Sequence, residues 1–276
     1  MKPKILVTRK ISDGAEDKLK KEFDVDLNLK DEPIPTGELI KMGNDYDGLI
    51  TSGFDKVGEE FFSNLTGKLK IIAHVGVGYD NISINAAELK KIKVTNTPNV
   101  LNEAVAETTI LLILAASRRV GEAYNLVRSD NWKKQKPDLT KFMIGNSVTG
   151  KTLGIIGMGR IGRIAAKSAK AFGMKIIYYN RNKLSDDLED GAKYYSDLNS
   201  MLPECDFVSI HTPATPDTKH ILNASTISLL HKHAVVINTS RGSTIDDNAL
   251  IDALENKKIY AAGLDVFNKE PNLDKR

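Results

Sequence analysis

The 276-residue chain carries 39 Lys and Arg against 36 Asp and Glu, with 41% apolar and 27% charged residues. That near balance gives no warrant for a nucleic-acid or membrane partner, and the length suffices for two domains with separate cores. The single cysteine, Cys205, excludes an internal disulfide and a cysteine-built metal site, and no run approaches the ~20 apolar residues of a membrane span.

The opening MKPKILVTRK lacks an apolar h-region, which predicts a cytoplasmic protein. KILVTR (4–9), DGLITS (47–52) and LKIIAHV (69–75) read as buried strands, with FDVDLNL (23–29) a weaker one. Helical patterns lie between them, from Gly14 to Glu22 and from Ile84 to Lys91. Such alternation builds a parallel sheet with helices on both faces, an α/β fold. Pro98 marks a break, because the residue before proline avoids the helical region. One domain is therefore expected over 1–100 and a second over 101–276.

TPNVLNEAVAETTILLILAASRRV is apolar at Val105, Thr109, Leu112 and Ala116 and on the opposite face too. A helix apolar all round is a buried one, and here it would run between two domains. Beyond it, Arg128, Lys133, Lys134, Lys136 and Lys141 read as a solvated face. A second series starts at Gly150 with the strand KTLGIIG and the helix RIGRIAAKSAKAFG, which Gly173 closes. KIIYYN, DFVSIHT, AVVINTS and YAAGLDV follow as strands, with DDNALIDALENKK a helix before the last. Cys205, on the approach to one of these strands, is expected to be a buried or half-buried thiol.

GIIGMGRIG sets Gly157, Gly159 and Gly162 in the G-x-G-x-x-G spacing between a strand and a helix. Gly157 permits the tight turn, Gly159 lets the backbone approach a pyrophosphate, and Gly162 packs the helix closely on the sheet. The helix start at Arg160 and Ile161 would receive the phosphates through its free N–H groups and dipole. At the end of the next strand an acidic residue would hold the adenosine ribose. The sequence has Asn180, Arg181, Asn182 and Lys183 there, with no carboxylate to repel a 2′-phosphate and two cations to pair with it. NADP(H) is the expected cofactor, with NAD(H) possible.

HVGVGYDNI, NTPNVLNEAVAE, GIIGMGRIG, VSIHTPATPDTKHIL, INTSRGSTIDDNAL and AAGLDVFNKEP together resemble the D-isomer specific 2-hydroxyacid dehydrogenases, and among them the glyoxylate/hydroxypyruvate reductase branch. The likeness runs from about Asp45 to the last residue. It implies two doubly wound parallel-sheet domains, a flavodoxin-like substrate domain followed by a Rossmann dinucleotide-binding domain, with substrate in the cleft. The family's substrate arginine falls on Arg241, whose guanidinium fork suits a 2-oxo acid, holding its carboxylate and polarising the carbonyl. Val77 and Gly78 would offer N–H groups to that carboxylate, and Ser52 and Gly53 would line the same cleft. Thr212, Pro213 and Thr218 match cofactor-lining positions. Thr239 and Asp265 match positions beside the nicotinamide, Asp265 meeting its carboxamide. The resemblance also implies a homodimer through the helix from Asn102 and the VGEAYNLVRSDNWKKQ stretch, with Trp132 in or near the contact.

Glu270 matches the carboxylate that pairs with the family's catalytic histidine and raises its pKa. In the family that histidine follows the EP element, and none of His74, His211, His220, His231 or His233 matches it. The sequence given would then have very low activity, and a dinucleotide-sensing protein of the same fold is the rival expectation. A phosphoglycerate-type dehydrogenase is the other alternative, one that would usually show an acidic residue where Asn180 stands.

Overall fold

The computed structural model describes residues 2–129, 131–134, 142–270 and 272–276. Lys136 and Lys141 of the basic stretch, and Pro271 of the EP element, lie outside the described residues. The chain divides into two compact units, Met1–Leu101 and Asn102–Arg276.

In the first unit the elements are β1 (Lys4–Val7), α1 (Asp13–Glu22), β2 (Asp24–Leu27), α2 (Thr36–Gly43), β3 (Gly48–Ser52), α3 (Glu59–Ser63), β4 (Ile71–Val75), α4 (Ile84–Leu89) and β5 (Lys93–Thr95). The strands form one parallel sheet in the order β2-β1-β3-β4-β5, that of the flavodoxin-like doubly wound fold. Its core gathers Leu6, Leu49 and Ile72 from the strands with Leu39, Phe61 and Phe62 from the helices. Burying each such side chain stabilises the fold by about 1.5–3 kcal/mol.

The second unit begins with α5 (Asn102–Ser117), α6 (Val120–Arg128) and α7 (Asn131–Lys134). It continues with β6 (Thr152–Ile156), α8 (Arg160–Ala171), β7 (Lys175–Tyr179), α9 (Asp186–Glu189), β8 (Lys193–Tyr195), α10 (Leu198–Met201), β9 (Phe207–Ile210), α11 (Ala224–Ile227), β10 (Val235–Asn238), α12 (Asp247–Glu255) and β11 (Ala261–Leu264). All six strands are parallel, in the order β11-β10-β9-β6-β7-β8. Two chain-ordered halves diverge from β6, so the strand order reverses between β6 and β9. A crevice opens at such a point beyond the strands' C-terminal ends.

Period-two alternation divides each strand between two cores. Ile155, Ile176, Phe207 and Val235 face one helical layer, while Ile156, Ile177, Val208 and Val236 face the other. Gly154 leaves room on β6 for the Cys205 thiol, which is fully buried and pushed up to about 12 by that burial. Helix α8 ends as expected: Gly173 takes φ +77° and Met174 N–H returns to Ala169 O.

Helix α5 departs from its expected burial all round. Only Ala106, Thr109, Ile113 and Ser117 are buried, a single stripe against α8, β10 and β11, and Leu111 is 63% exposed. Its apolar composition exceeds what its own unit covers. No described helix is long and apolar enough to cross a membrane. Arg128, Lys133 and Lys134 are exposed, consistent with a solvated face.

Candidate functional site

The glycine turn occupies the crevice between β6 and β9. Gly157 has φ +92°, and a Cβ there would stand 2.7 Å from Thr212 Cγ2 and 3.0 Å from the His211 backbone. Only glycine lets the turn approach β9 so closely. At Gly162 a Cβ would meet Gly157 O at 2.8 Å and Ile155 Cγ2 at 3.2 Å, so this position sets the helix against the sheet. Gly159 differs from both: a Cβ there meets nothing within 4 Å. Its bare backbone fronts open space, as a ligand cradle requires.

Gly159 is also the N-cap of α8 and carries no side-chain acceptor for the first turn. The N–H groups of Arg160 and Ile161 thus have no acceptor among the described residues, an arrangement that favours an anion. Across the crevice, Thr212 Oγ1 is buried without a hydrogen-bond partner. An open glycine cradle, unsatisfied amides and an orphaned hydroxyl fit a bound dinucleotide. Pro213 O accepts from Thr218 Oγ1 at 2.6 Å, which folds the segment after β9 into a compact turn.

The residues after β7 divide their tasks. Asn180 Oδ1 accepts the Met158 N–H at 2.8 Å, so this side chain braces the glycine turn itself. Arg181 and Asn182 are exposed. The Lys183 ammonium lies 3.4 Å from both Asp186 and Glu189. Arg181 is the cation of this segment without an ion pair among the described residues.

Arg241 follows β10 and is locked through its backbone. Its carbonyl accepts from Asn238 Nδ2 (2.9 Å) and Thr244 Oγ1 (2.7 Å), both of them buried residues. Asp265 continues the adjacent β11, and its N–H donates to Asn238 O at 2.9 Å. Gly242 then presses on the Phe267 backbone so closely that a Cβ would overlap it. Asn268 Nδ2 donates to Asp247 Oδ1 at 2.8 Å, tying the same segment down from the other side. Glu270 Oε1 accepts the Phe267 N–H at 2.5 Å, so its carboxylate closes its own turn. Strand pairing and these ties bring Arg241, Asp265 and Glu270 to one end of the sheet. Thr239 is buried, its hydroxyl 3.0 Å from that of Thr109 on α5.

In the first unit Ser52 ends β3, with its N–H (2.7 Å) and hydroxyl (3.0 Å) on Asp55 Oδ2. Gly53 is exposed, with open space where a side chain would be. Val77 O accepts from Asn96 Nδ2 at 2.8 Å, and Thr97 brackets Gly76. The N–H groups of Val77 and Gly78 have no acceptor among the described residues. Asp55, Asn238 and Thr244 escaped the sequence reading. A polar residue inside or beside an apolar run was their only signal.

The histidines sit elsewhere. His74 is buried on β4, with Nδ1 3.2 Å from Thr51 Oγ1. His211 bonds Ser209 Oγ at 2.8 Å and is lowered to about 4 by burial. His231 and His233 stack on each other before β10, at the opposite end of the sheet from Arg241. No described histidine bonds Glu270. No group of described residues has the makings of a metal site.

The fold and the glycine turn define a dinucleotide-binding α/β protein. The family model of the D-isomer specific 2-hydroxyacid dehydrogenase NAD binding domain matches residues 110–276. A glyoxylate reductase of Thermococcus litoralis is 44% identical over 272 residues, which cover 98% of this chain and 82% of that protein. One from Pyrococcus horikoshii is 41% identical over the same length, covering 98% and 81%. Among solved structures, the NADPH-dependent glyoxylate/hydroxypyruvate reductase of Sinorhizobium meliloti, in complex with NADP and malonate, superposes with a TM-score of 0.87 at 34% identity. The match covers 100% of this chain and 82% of that one. This chain belongs to the D-isomer specific 2-hydroxyacid dehydrogenase family, and its similarity there lies with the glyoxylate reductases.

Proposed function

We propose that the protein reduces a small 2-oxo acid, glyoxylate or hydroxypyruvate, with NADPH as the preferred reductant. The observation that carries this reading is Arg241, fixed by Asn238 and Thr244 at the strand ends where the glycine turn also lies. A planar guanidinium suits bidentate recognition of a carboxylate and polarisation of the adjacent carbonyl, and here it stands on a fixed backbone. Bound NADPH supplies the hydride that reduces the carbonyl carbon.

Each residue then has a task. Arg160 and Ile161 N–H groups receive the pyrophosphate, and Thr212 Oγ1 gains the partner it lacks. Pro213 and Thr218 shape the adjoining wall, while Thr239 and Asp265 orient the nicotinamide, Asp265 through its carboxamide. The amides of Val77 and Gly78 suit the substrate carboxylate, with Ser52 and Gly53 assigned to substrate as well. Glu270 is the carboxylate that would stabilise a protonated imidazole general acid, and no described histidine stands against it. Asn180 and Arg181 favour the 2′-phosphate over a free ribose hydroxyl. The proposal extends to a cytoplasmic homodimer, supported by α6 and α7, which bury none of their residues.

The test follows NADPH oxidation with glyoxylate, hydroxypyruvate and pyruvate, comparing the protein with Arg241→Ala and Arg241→Lys. Loss of one transition-state donor of this kind costs about 10²–10³ in kcat. Turnover of glyoxylate that survives Arg241→Ala unchanged would remove the assignment.

A further inference from the structure

The segment Asn180–Leu184 leaves β7 as a short loop, yet it is pinned at both ends by groups rooted in the sheet. Tyr178 and Tyr194 are register partners on β7 and β8, with ring centroids 5.3 Å apart. Tyr194 donates its hydroxyl to Asn180 O at 3.2 Å. Tyr178, fully buried, accepts the Leu184 N–H at 3.0 Å and donates to Glu189 Oε1 at 2.5 Å. Asn180 Oδ1 adds a third pin on Met158 N–H. Glu189, itself buried, lies 3.4 Å from Lys183 through its other oxygen. Between the pins stand Arg181 and Asn182, exposed.

We infer that Tyr178, Tyr194 and Glu189 are positioning residues that hold Arg181 as the single reader of a phosphate monoester on the adenosine ribose, with Lys183 withheld from that task. The inference rests on the NADP reading and specifies how it is built. A guanidinium on a preset loop binds a dianionic phosphate without first ordering the chain, and ordering cost is what separates a good charge pair from a weak one. The tyrosine hydroxyl is a dependable pin because burial, followed by the Glu189 hydrogen bond, raises it to about 12. It remains a donor at any working pH.

The experiment measures binding of adenosine 2′,5′-bisphosphate and adenosine 5′-monophosphate to the full chain by calorimetry. Variants are Arg181→Ala, Lys183→Ala, Tyr178→Phe, Tyr194→Phe and the Arg181→Ala/Tyr178→Phe pair. Arg181→Ala is expected to weaken the bisphosphate roughly ten- to hundredfold and the monophosphate hardly at all. Lys183→Ala should leave their ratio within about threefold, as an exposed, already paired cation predicts. Each tyrosine variant should lower the ratio about three- to tenfold through lost preorganisation, and Tyr178→Phe should add nothing once Arg181 is gone.

A merely structural role for the tyrosines would weaken both ligands alike, and that result overturns the inference. So does a Lys183→Ala loss equal to that of Arg181→Ala. If Tyr178→Phe does not fold, Tyr194→Phe decides alone, since its ring is less buried. Equal binding of the two nucleotides by the unaltered protein would instead overturn the NADP reading beneath the inference. The two failures are thereby told apart.

Discussion

Gly159→Ala separates the fold from cofactor binding. Gly159 has φ −81°, an ordinary value for any L-residue, and the added methyl meets no atom within 4 Å. The N-cap preference for glycine over alanine, of order 1 kcal/mol, is offset by ~0.4–1 kcal/mol from the stiffer unfolded chain. The apo protein should therefore keep its stability to within about 1 kcal/mol, a midpoint change of roughly 2–4 °C. Binding is another matter, because the methyl fills the space where a pyrophosphate must approach the helix start. Each hydrogen bond to a charged phosphate contributes about 1.5–3 kcal/mol, so loss of even one weakens NADPH roughly ten- to hundredfold. Nucleotide fluorescence titration and thermal unfolding of the same sample measure both quantities. Unchanged affinity for NADPH, or a collapse of the apo fold, would refute the cradle assigned to Gly159.

Gly242→Ala should act in the opposite sense, since its methyl runs into the Phe267 backbone, which cannot swing aside as a side chain would. We expect a loss of about 1–3 kcal/mol in urea unfolding, together with reduced turnover as the Asp265–Glu270 segment is displaced. His211 gives a pH signature. Burial lowers it to about 4 in the folded state, so between pH ~6.5 and ~4 the unfolded chain takes up a proton that the native one refuses. Stability should fall across that window by as much as about 3 kcal/mol as pH drops, be level above it, and fall much less in His211→Gln. The exposed face of Val120, Tyr124 and Val127, with Trp132 and Leu111, predicts a homodimer. Light scattering at micromolar concentration should show twice the chain mass, and a Tyr124→Glu/Val127→Glu variant should show one; a monomer throughout would count against the proposal.

What could be read directly was local. Strand alternation and the three spaced glycines each encode their conformation within a few residues, because side-chain period and turn sterics are short-range properties. The missing carboxylate at Asn180 was equally visible, and so was Arg241 after its apolar run. The edge strands β5 and β8 were missed, each only three residues long and too short for a period to register. Tertiary structure alone decided which charges are engaged. Lys183 and Arg181 look equivalent in sequence, yet Glu189 meets only the first, because α9 returns beneath the loop. Ser52 reads as a residue lining the substrate cleft, and only the fold shows that Asp55 engages its N–H and hydroxyl. Likewise α5 reads as buried all round, whereas one stripe is covered. Local sequence dictates what each segment can become; the register between strands determines which distant groups meet, and a pairing energy exists only once that distance is set.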